Sequence, residues 1–445
     1  MTDLENLKKV IVNALEWSPP KGVDRIVHLD LVEETRLLSV VGPRRAGKTY
    51  ACFQFLHKQL TIIPKSNILY LNLEDERLYP LSKTVLQDLW ETYLQVSQPE
   101  VTQPIYLILD EIQNIPNWSR WVRRMHDQYS MIRIIVTGSS SKLLSRELAT
   151  ELRGRAISIE VFPFSFPEFL RANGVTWNPK TVAYSTEKPK INHLFGEYFK
   201  RGGFPGILEA TYPEKILQEY FKAMYVRDLI ERFKIENIPL FEDFLRLQIQ
   251  QFSAVTSISK MEKLLAEIGY SLSKNTLTNY IRYARESYIL FQVPIYSNKI
   301  KNQLRYPKKT YAIDHGLLQA VRFSTSEDLG RLLENIVFMA LRRKTTDIYY
   351  YQDKTCECDF LVKEKTQIVL AIQVAYTIKN NKTREREIKG LTQALLDNPN
   401  AKGLILTLDE TDEIIINGKL IPILPVWRWL LEDEGPHIDD YKIAK

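Results

Sequence analysis

Four short, mainly apolar runs mark the first third of the chain: Arg36–Val41, Ile68–Leu73, Ile105–Leu109 and Ile132–Thr137. Between them apolar residues recur at helical spacing, most clearly over Thr49–Gln59. Continuously apolar strands alternating with helices predict a parallel sheet buried on both faces, because βαβ crossovers cover both sides. The stretch from Asn173 to Lys190 is polar and contains Gly174, Pro179 and Pro189, which predicts a linker or surface insertion. From Ile191 to about Ser287 the period is helical, with one long amphipathic stretch over Tyr212–Phe233. A second, Ser273–Ser287, opens on a serine cap. Two strands follow, Ile289–Tyr296 and Thr310–Ile313. The last third predicts helix Leu329–Arg343, strands Ile348–Tyr351, Cys358–Val362 and Val369–Tyr376, helix Arg384–Leu396 and strand Gly403–Leu408.

Composition narrows the class only a little. The 445 residues suffice for two to four domains, and 44% apolar with 26% charged residues is ordinary for a globular chain. No apolar run approaches the ~18 residues that span a bilayer. The opening MTDLENLKKV has early acids and no apolar segment, so it does not read as a secretory signal. Three cysteines make no disulfide framework, and Cys356 and Cys358 lack the partners of a zinc site. The expectation is a cytoplasmic protein with no membrane partner. Sixty basic residues against 54 acidic give a modest excess. Its distribution says more: from Ser297 to Tyr311 stand Lys299, Lys301, Arg305, Lys308 and Lys309 and no acid.

The clearest chemistry lies at Gly42-Pro43-Arg44-Arg45-Ala46-Gly47-Lys48-Thr49, which fits G-x-x-x-x-G-K-[ST] between an expected strand and an expected helix. Glycines let the backbone turn its N–H groups toward phosphates, and the helix N-terminus adds a positive dipole end. Lys48 supplies a mobile charge for the β and γ phosphates of ATP, and the Thr49 hydroxyl can ligate Mg2+. Hydrolysis needs more than a loop. Asp110 and Glu111 end an apolar run where open α/β sheets bind ligands. Asp110 would hold the magnesium shell, and Glu111 would orient or deprotonate the attacking water. At the end of the next strand Ser139 is a candidate to sense the γ-phosphate. One of Arg153 and Arg155 could neutralise transition-state charge, in cis or across a subunit interface.

These stretches, with LYLNLED, YLILDEIQNIPNWSRWVRRMHD, IIVTGSSSKLL, ELRGR and VFPFSFPEF, resemble the AAA-type, STAND-like P-loop ATPases of archaea and bacteria that carry a C-terminal module. The resemblance spans nearly the whole chain. It implies an α/β fold in four parts: a P-loop NTPase core with a parallel sheet (1–172), a helical lid (191–240), a winged helix (241–315) and a restriction-endonuclease-like α/β domain (325–445). It also implies that Arg155 is the functional arginine. Gly202-Gly203-Phe204-Pro205 resembles a turn in related ATPases whose proline packs on adenine, so Pro205 becomes a candidate base contact.

In the winged-helix reading the second helix exposes Lys274, Asn275, Thr278, Asn279 and Arg282, polar side chains of the kind that read base edges. The wing, Lys299–Lys309, meets DNA phosphates. In the nuclease-like domain Glu334 and Asp359 stand where that fold keeps its acids. The following strand departs from its acid-x-lysine pattern, reading Gln373-Val374-Ala375. Gln373 offers a carbonyl oxygen without charge and Ala375 offers nothing, so a degenerate site with little or no nuclease activity is expected, unless Lys379 substitutes. The reading is an ATPase coupled to a DNA-linked task, with little or no nuclease activity. Its rivals are a slow nucleotide switch or scaffold whose winged helix binds protein, and an ATP-regulated nuclease. A homo-oligomer or protein partner is compatible with each.

Overall fold

The four apolar runs fold as strands, joined by a fifth that the pattern did not predict. In the computed structural model, β1 (Leu37–Val41), β2 (Ile68–Asn72), β3 (Ile105–Asp110), β4 (Ile132–Gly138) and β5 (Ile157–Glu160) form one sheet in the order β2-β3-β4-β1-β5. Every pairing is parallel. Strands β1 and β3 are buried at every position, which is why their sequences show no alternation. Strand β5 lies at the edge with Ile157 exposed, so it lacks the continuous apolar signature. Helices α1 (Leu4–Glu16), α2 (Lys48–Gln59), α3 (Val85–Ser97) and α4 (Trp118–Gln128) accompany the sheet. The register sets Val41 beside Gly138 and Asn72 beside Asp110, so the strands' carboxyl ends are level and carry the candidate residues together.

The structure describes residues 4–82, 84–139, 156–322 and 329–432. The chain divides into two compact units, Met1–Phe162 and Pro163–Lys445. The second begins with α5 (Phe166–Ala172), opened by a capping box in which Ser165 and Glu168 bond reciprocally. Then come α6 (Lys188–Arg201) and α7 (Pro213–Ala223). The helical stretch expected to Phe233 does reach it, with a π-helical segment, Met224–Glu231, in its second half. Next are α8 (Ile238–Gln250), β6 (Val255–Thr256), α9 (Ile258–Glu267), α10 (Lys274–Glu286), β7 (Leu290–Val293), a short α11 (Ile300–Arg305) and β8 (Lys308–Ala312). The three strands pair antiparallel in the order β6-β8-β7.

After α12 (His315–Val321) and α13 (Leu329–Arg342), a mixed six-stranded sheet is built from β9 (Ile348–Gln352), β10 (Glu357–Glu364), β11 (Gln367–Val374), β12 (Lys402–Thr407), β13 (Asp412–Ile416) and β14 (Lys419–Pro425). Its order is β13-β14-β12-β11-β10-β9. Helix α14 (Asn381–Asp397) packs on β10 and β11 through Leu391, Ala394 and Leu395, and α15 (Val426–Glu432) closes the described chain. The two sheets of this unit share a core. Tyr311 of β8 stacks on Phe338 of α13 at 4.3 Å between ring centroids, and both are buried. Asn335 of α13 bonds both the N–H and the carbonyl of Ala312.

Candidate nucleotide site

The loop after β1 has the shape its glycines allow. Gly42 has φ +151°, and a Cβ there would lie 2.0 Å from the carbonyl oxygen of Val161. Gly47, at φ +94°, turns the chain into α2. Lys48 is buried and its ammonium donates to the carbonyls of Gly42 (3.2 Å) and Pro43 (3.1 Å). Pro43 and Ala46 are buried, Arg44 is half-buried 3.8 Å from Glu74, and Arg45 is exposed. A residue that carried no sequence signal holds the loop from behind. The buried Arg25 guanidinium donates to the carbonyls of Ala46 and Phe162, each at 2.6 Å.

Asp110, at the end of β3, is the centre of the site. Its buried carboxylate accepts from Thr49 Oγ1 (2.8 Å) and Tyr70 Oη (2.8 Å) on one oxygen, and from Thr137 Oγ1 on the other. Thr137 also accepts the backbone N–H of Glu111 at 3.0 Å, so one buried hydroxyl ties both acids to β4. Glu111 sits in the left-handed region at φ +56°, one residue past the strand, and its Oε2 accepts from Gln113 Nε2 at 2.5 Å. Burial and the Asp110 carboxylate push the Tyr70 phenol far above its ordinary range, so it stays a donor. Burial, with Asp110, likewise raises the Cys52 thiol and leaves it a neutral core group. Ser139 is buried at the end of β4. Thr49 and Asp110 present a hydroxyl and a carboxylate oxygen within 2.8 Å, the hard oxygen set that suits Mg2+.

The other expected residues fall in different places. Arg153 and Arg155 lie outside the described residues. Pro205 is half-buried in a turn of the second unit, Pro205–Ile207. The glycines before it have a packing reason: the Gly203 N–H donates to Asp314 at 2.7 Å, and a Cβ on Gly203 would meet the Phe164 carbonyl oxygen at 2.2 Å. On α10, Lys274, Asn275, Thr278, Asn279 and Arg282 are all exposed, on the face opposite the buried Leu277, Tyr280 and Ala284. Lys299, Lys301 and Arg305 are exposed on and beside α11.

Lys309 requires a correction. It is not a wing lysine available to phosphate: it is 1% exposed, with its ammonium 3.0 Å from Glu334 and 2.8 Å from Asp359. Side chains alternate along a strand, so of the two adjacent lysines only Lys308 can face outward, and it too is half-buried. Glu334, Asp359 and Gln373, expected to lie together, line one cavity, and the cation beside the two acids is Lys309, whereas Lys379 is exposed.

Comparison with known proteins agrees with the first unit's geometry. The AAA domain family matches residues 34–170, and two domains of unknown function, DUF8612 and DUF4143, match 192–328 and 329–428. The uncharacterized protein MJ1544 of Methanocaldococcus jannaschii is 34% identical over 438 residues, covering 95% of each chain. This chain belongs to the family of that archaeal protein. An uncharacterized protein of Haemophilus influenzae is 28% identical over 404 residues, 90% of this chain and 96% of its own. The Walker-type ATPase PABY2304 of Pyrococcus abyssi matches 73% of this chain and 96% of its own at 15% identity and a TM-score of 0.40, a superposition too loose to bear on function. The AAA match and the parallel sheet together identify the first unit as an AAA-type P-loop module. Among the described residues no helix is long and apolar enough to cross a membrane.

Proposed function

We propose that this protein is a magnesium-dependent ATPase that couples ATP binding and hydrolysis to a DNA-linked task. The observation that carries the reading is the meeting of Thr49 and Asp110 at 2.8 Å, with Glu111 next in the chain and Lys48 one residue before Thr49. Lys48 would turn from the loop carbonyls to the β and γ phosphates, and the loop N–H groups would cradle them. Thr49 and Asp110 would hold the Mg2+, which supplies charge neutralisation on the phosphates. Glu111, held by Gln113, would orient the attacking water and accept its proton. Ser139, Arg155 and Pro205 keep their proposed parts as γ-phosphate sensor, charge-neutralising arginine and adenine contact.

The DNA-linked part is supported by the chain order of α8, β6, α9, α10, β7 and β8, which fits a winged-helix reading. The exposed face of α10 and the cations Lys299, Lys301 and Arg305 fit a duplex with its phosphates. One observation favours a second reading, a nucleotide switch whose winged helix grips protein. Ile300 and Leu304 are each 71% exposed, one turn apart on α11, beside the half-exposed Tyr306. ATP turnover measured with and without single- and double-stranded DNA separates the two. Stimulation by DNA is expected, and a stable nucleotide complex indifferent to DNA would favour the switch. Lys48→Ala should abolish nucleotide binding while Glu111→Gln binds and traps ATP; equal affinity of Lys48→Ala and the parent by calorimetry sinks the site.

A further inference from the structure

Five carboxylates line one cavity of about 710 Å³ in the C-terminal sheet, among them Glu334 from α13, Glu357 and Asp359 from β10, and Glu387 from α14. Three of them meet a single ammonium. Lys309 Nζ lies 2.5 Å from Glu357 Oε1, 2.8 Å from Asp359 Oδ1 and 3.0 Å from Glu334 Oε1. An ammonium has three N–H donors, and these three partners use them all. The lysine arrives from β8, in a different sheet and 50 residues before Asp359. Although burial opposes its charge, Asp359 and Glu334 hold Lys309 protonated well beyond the ordinary lysine range. Burial pushes Glu334 up, and Lys309 pulls it back.

A second observation points to a cation. Gln373, 4% exposed, lines the same cavity; its amide N–H donates to Glu387, while its Oε1 is buried with no hydrogen-bond partner among the described residues. A carbonyl oxygen without a donor, set among carboxylates, is arranged for a positive charge. Glu334, Asp359 and Gln373 Oε1 together make three hard oxygen ligands once the amine is taken away. Two further contacts steady the carboxylates: Tyr311 Oη donates to Glu334 Oε1, the oxygen that also faces Lys309, at 2.6 Å, and the Val374 N–H donates to Asp359 Oδ2 at 2.9 Å, leaving Oδ1 to the cation.

We propose that this nest is a cation site whose resident cation is Lys309, so that the tethered ammonium holds the place a divalent ion would take and excludes it. Because β8 carries the lysine, seating of the three-stranded sheet and filling of the nest are a single event. A divalent ion enters only if the amine leaves. The sequence led us to expect acids at Glu334 and Asp359; it gave no sign of the internal occupant, Lys309.

The test is Mn2+ binding by the full-length protein, read by electron paramagnetic resonance without nucleotide and in an Asp110→Asn background that silences the first unit's site. The parent should bind no Mn2+ at this nest up to millimolar concentration. Lys309→Met should bind at least tenfold more tightly, and adding Asp359→Asn should remove the gain. Mn2+ bound with Lys309 in place and lost in Asp359→Asn overturns the proposal. So does a folded Lys309→Met that binds no better than its parent. Should Lys309→Met fail to fold in metal-free buffer, folding restored by Mn2+ is the expected result, and failure to fold with the ion is the overturning one.

Discussion

Thr137→Val removes one oxygen and almost no volume, which makes it a clean probe of how the acid pair is held. The hydroxyl of Thr137 donates to Asp110 and accepts from the Glu111 N–H, and the residue is wholly buried. Valine leaves Asp110 with two donors, Thr49 and Tyr70, and leaves the Glu111 N–H with nothing to replace the lost oxygen. An orphaned buried donor costs ~1–3 kcal/mol, and a hydrogen bond to a charged group contributes ~1.5–3 kcal/mol. The two losses share one atom and do not simply add, so a destabilisation of about 2–4 kcal/mol is expected in urea unfolding of the first unit's transition. The catalytic effect should fall on kcat, because the left-handed turn that aims Glu111 loses its anchor while Lys48 and the loop glycines are untouched. Thr137→Ser, which keeps the oxygen, should recover most of both losses. A Thr137→Val protein with stability within 0.5 kcal/mol of the parent, about the scatter of a neutral surface change, would refute the bridging role. So would an unchanged kcat.

Two further outcomes follow from the second unit. Replacing Lys299, Lys301 and Arg305 by Gln should weaken DNA binding uniformly across sequences and flatten its salt dependence by roughly one unit of slope per contact removed; titrations at several salt concentrations that give parallel lines would exclude phosphate contact. His315 is buried against Tyr198, and burial lowers its pKa, with Asp314 opposing. The unfolded chain therefore takes up the proton first: stability from this residue is complete above the unfolded pKa of 6.5 and is lost as pH falls from there toward the folded value. Between pH 7.5 and 5.5 the melting temperature of the parent should fall more than that of His315→Gln, and equal slopes would show that His315 is not the sensor.

Much of the first unit was legible because its signals are local. A phosphate loop is one turn between a strand and a helix, so spacing along the chain fixes the geometry of Gly42, Gly47, Lys48 and Thr49. Asp110 and Glu111 announce themselves as acids ending an apolar run. Other local signals were present and went unread. Asn417-Gly418 has positive φ at both residues, the hairpin turn that Asn-Gly favours, yet β13 and β14 were missed because β13 is mostly exposed and its apolar residues do not alternate.

What spacing could not supply is the identity of partners set by register between distant strands. Tyr70 reaches Asp110 because Asn72 pairs with it, and Thr137 bridges the acids because β4 lies beside β3. Arg25 meets Ala46 and Phe162 from a polar segment with no periodicity at all. Lys309 shows the limit most clearly. Its sequence neighbourhood, basic and free of acids, argues for an exposed phosphate contact. The inference fails because strand alternation buries one of two adjacent lysines, and the acids that neutralise it come from α13 and β10. Net charge along a window describes a surface only where every residue of the window reaches solvent. A lysine at an inward strand position must instead be read with the carboxylates it will meet, and those are chosen by the fold. The same reasoning applies beside Gln373-Val374-Ala375: that strand carries no cation, and the one next to Glu334 and Asp359 comes from β8 in another sheet, which no reading of the strand alone could show.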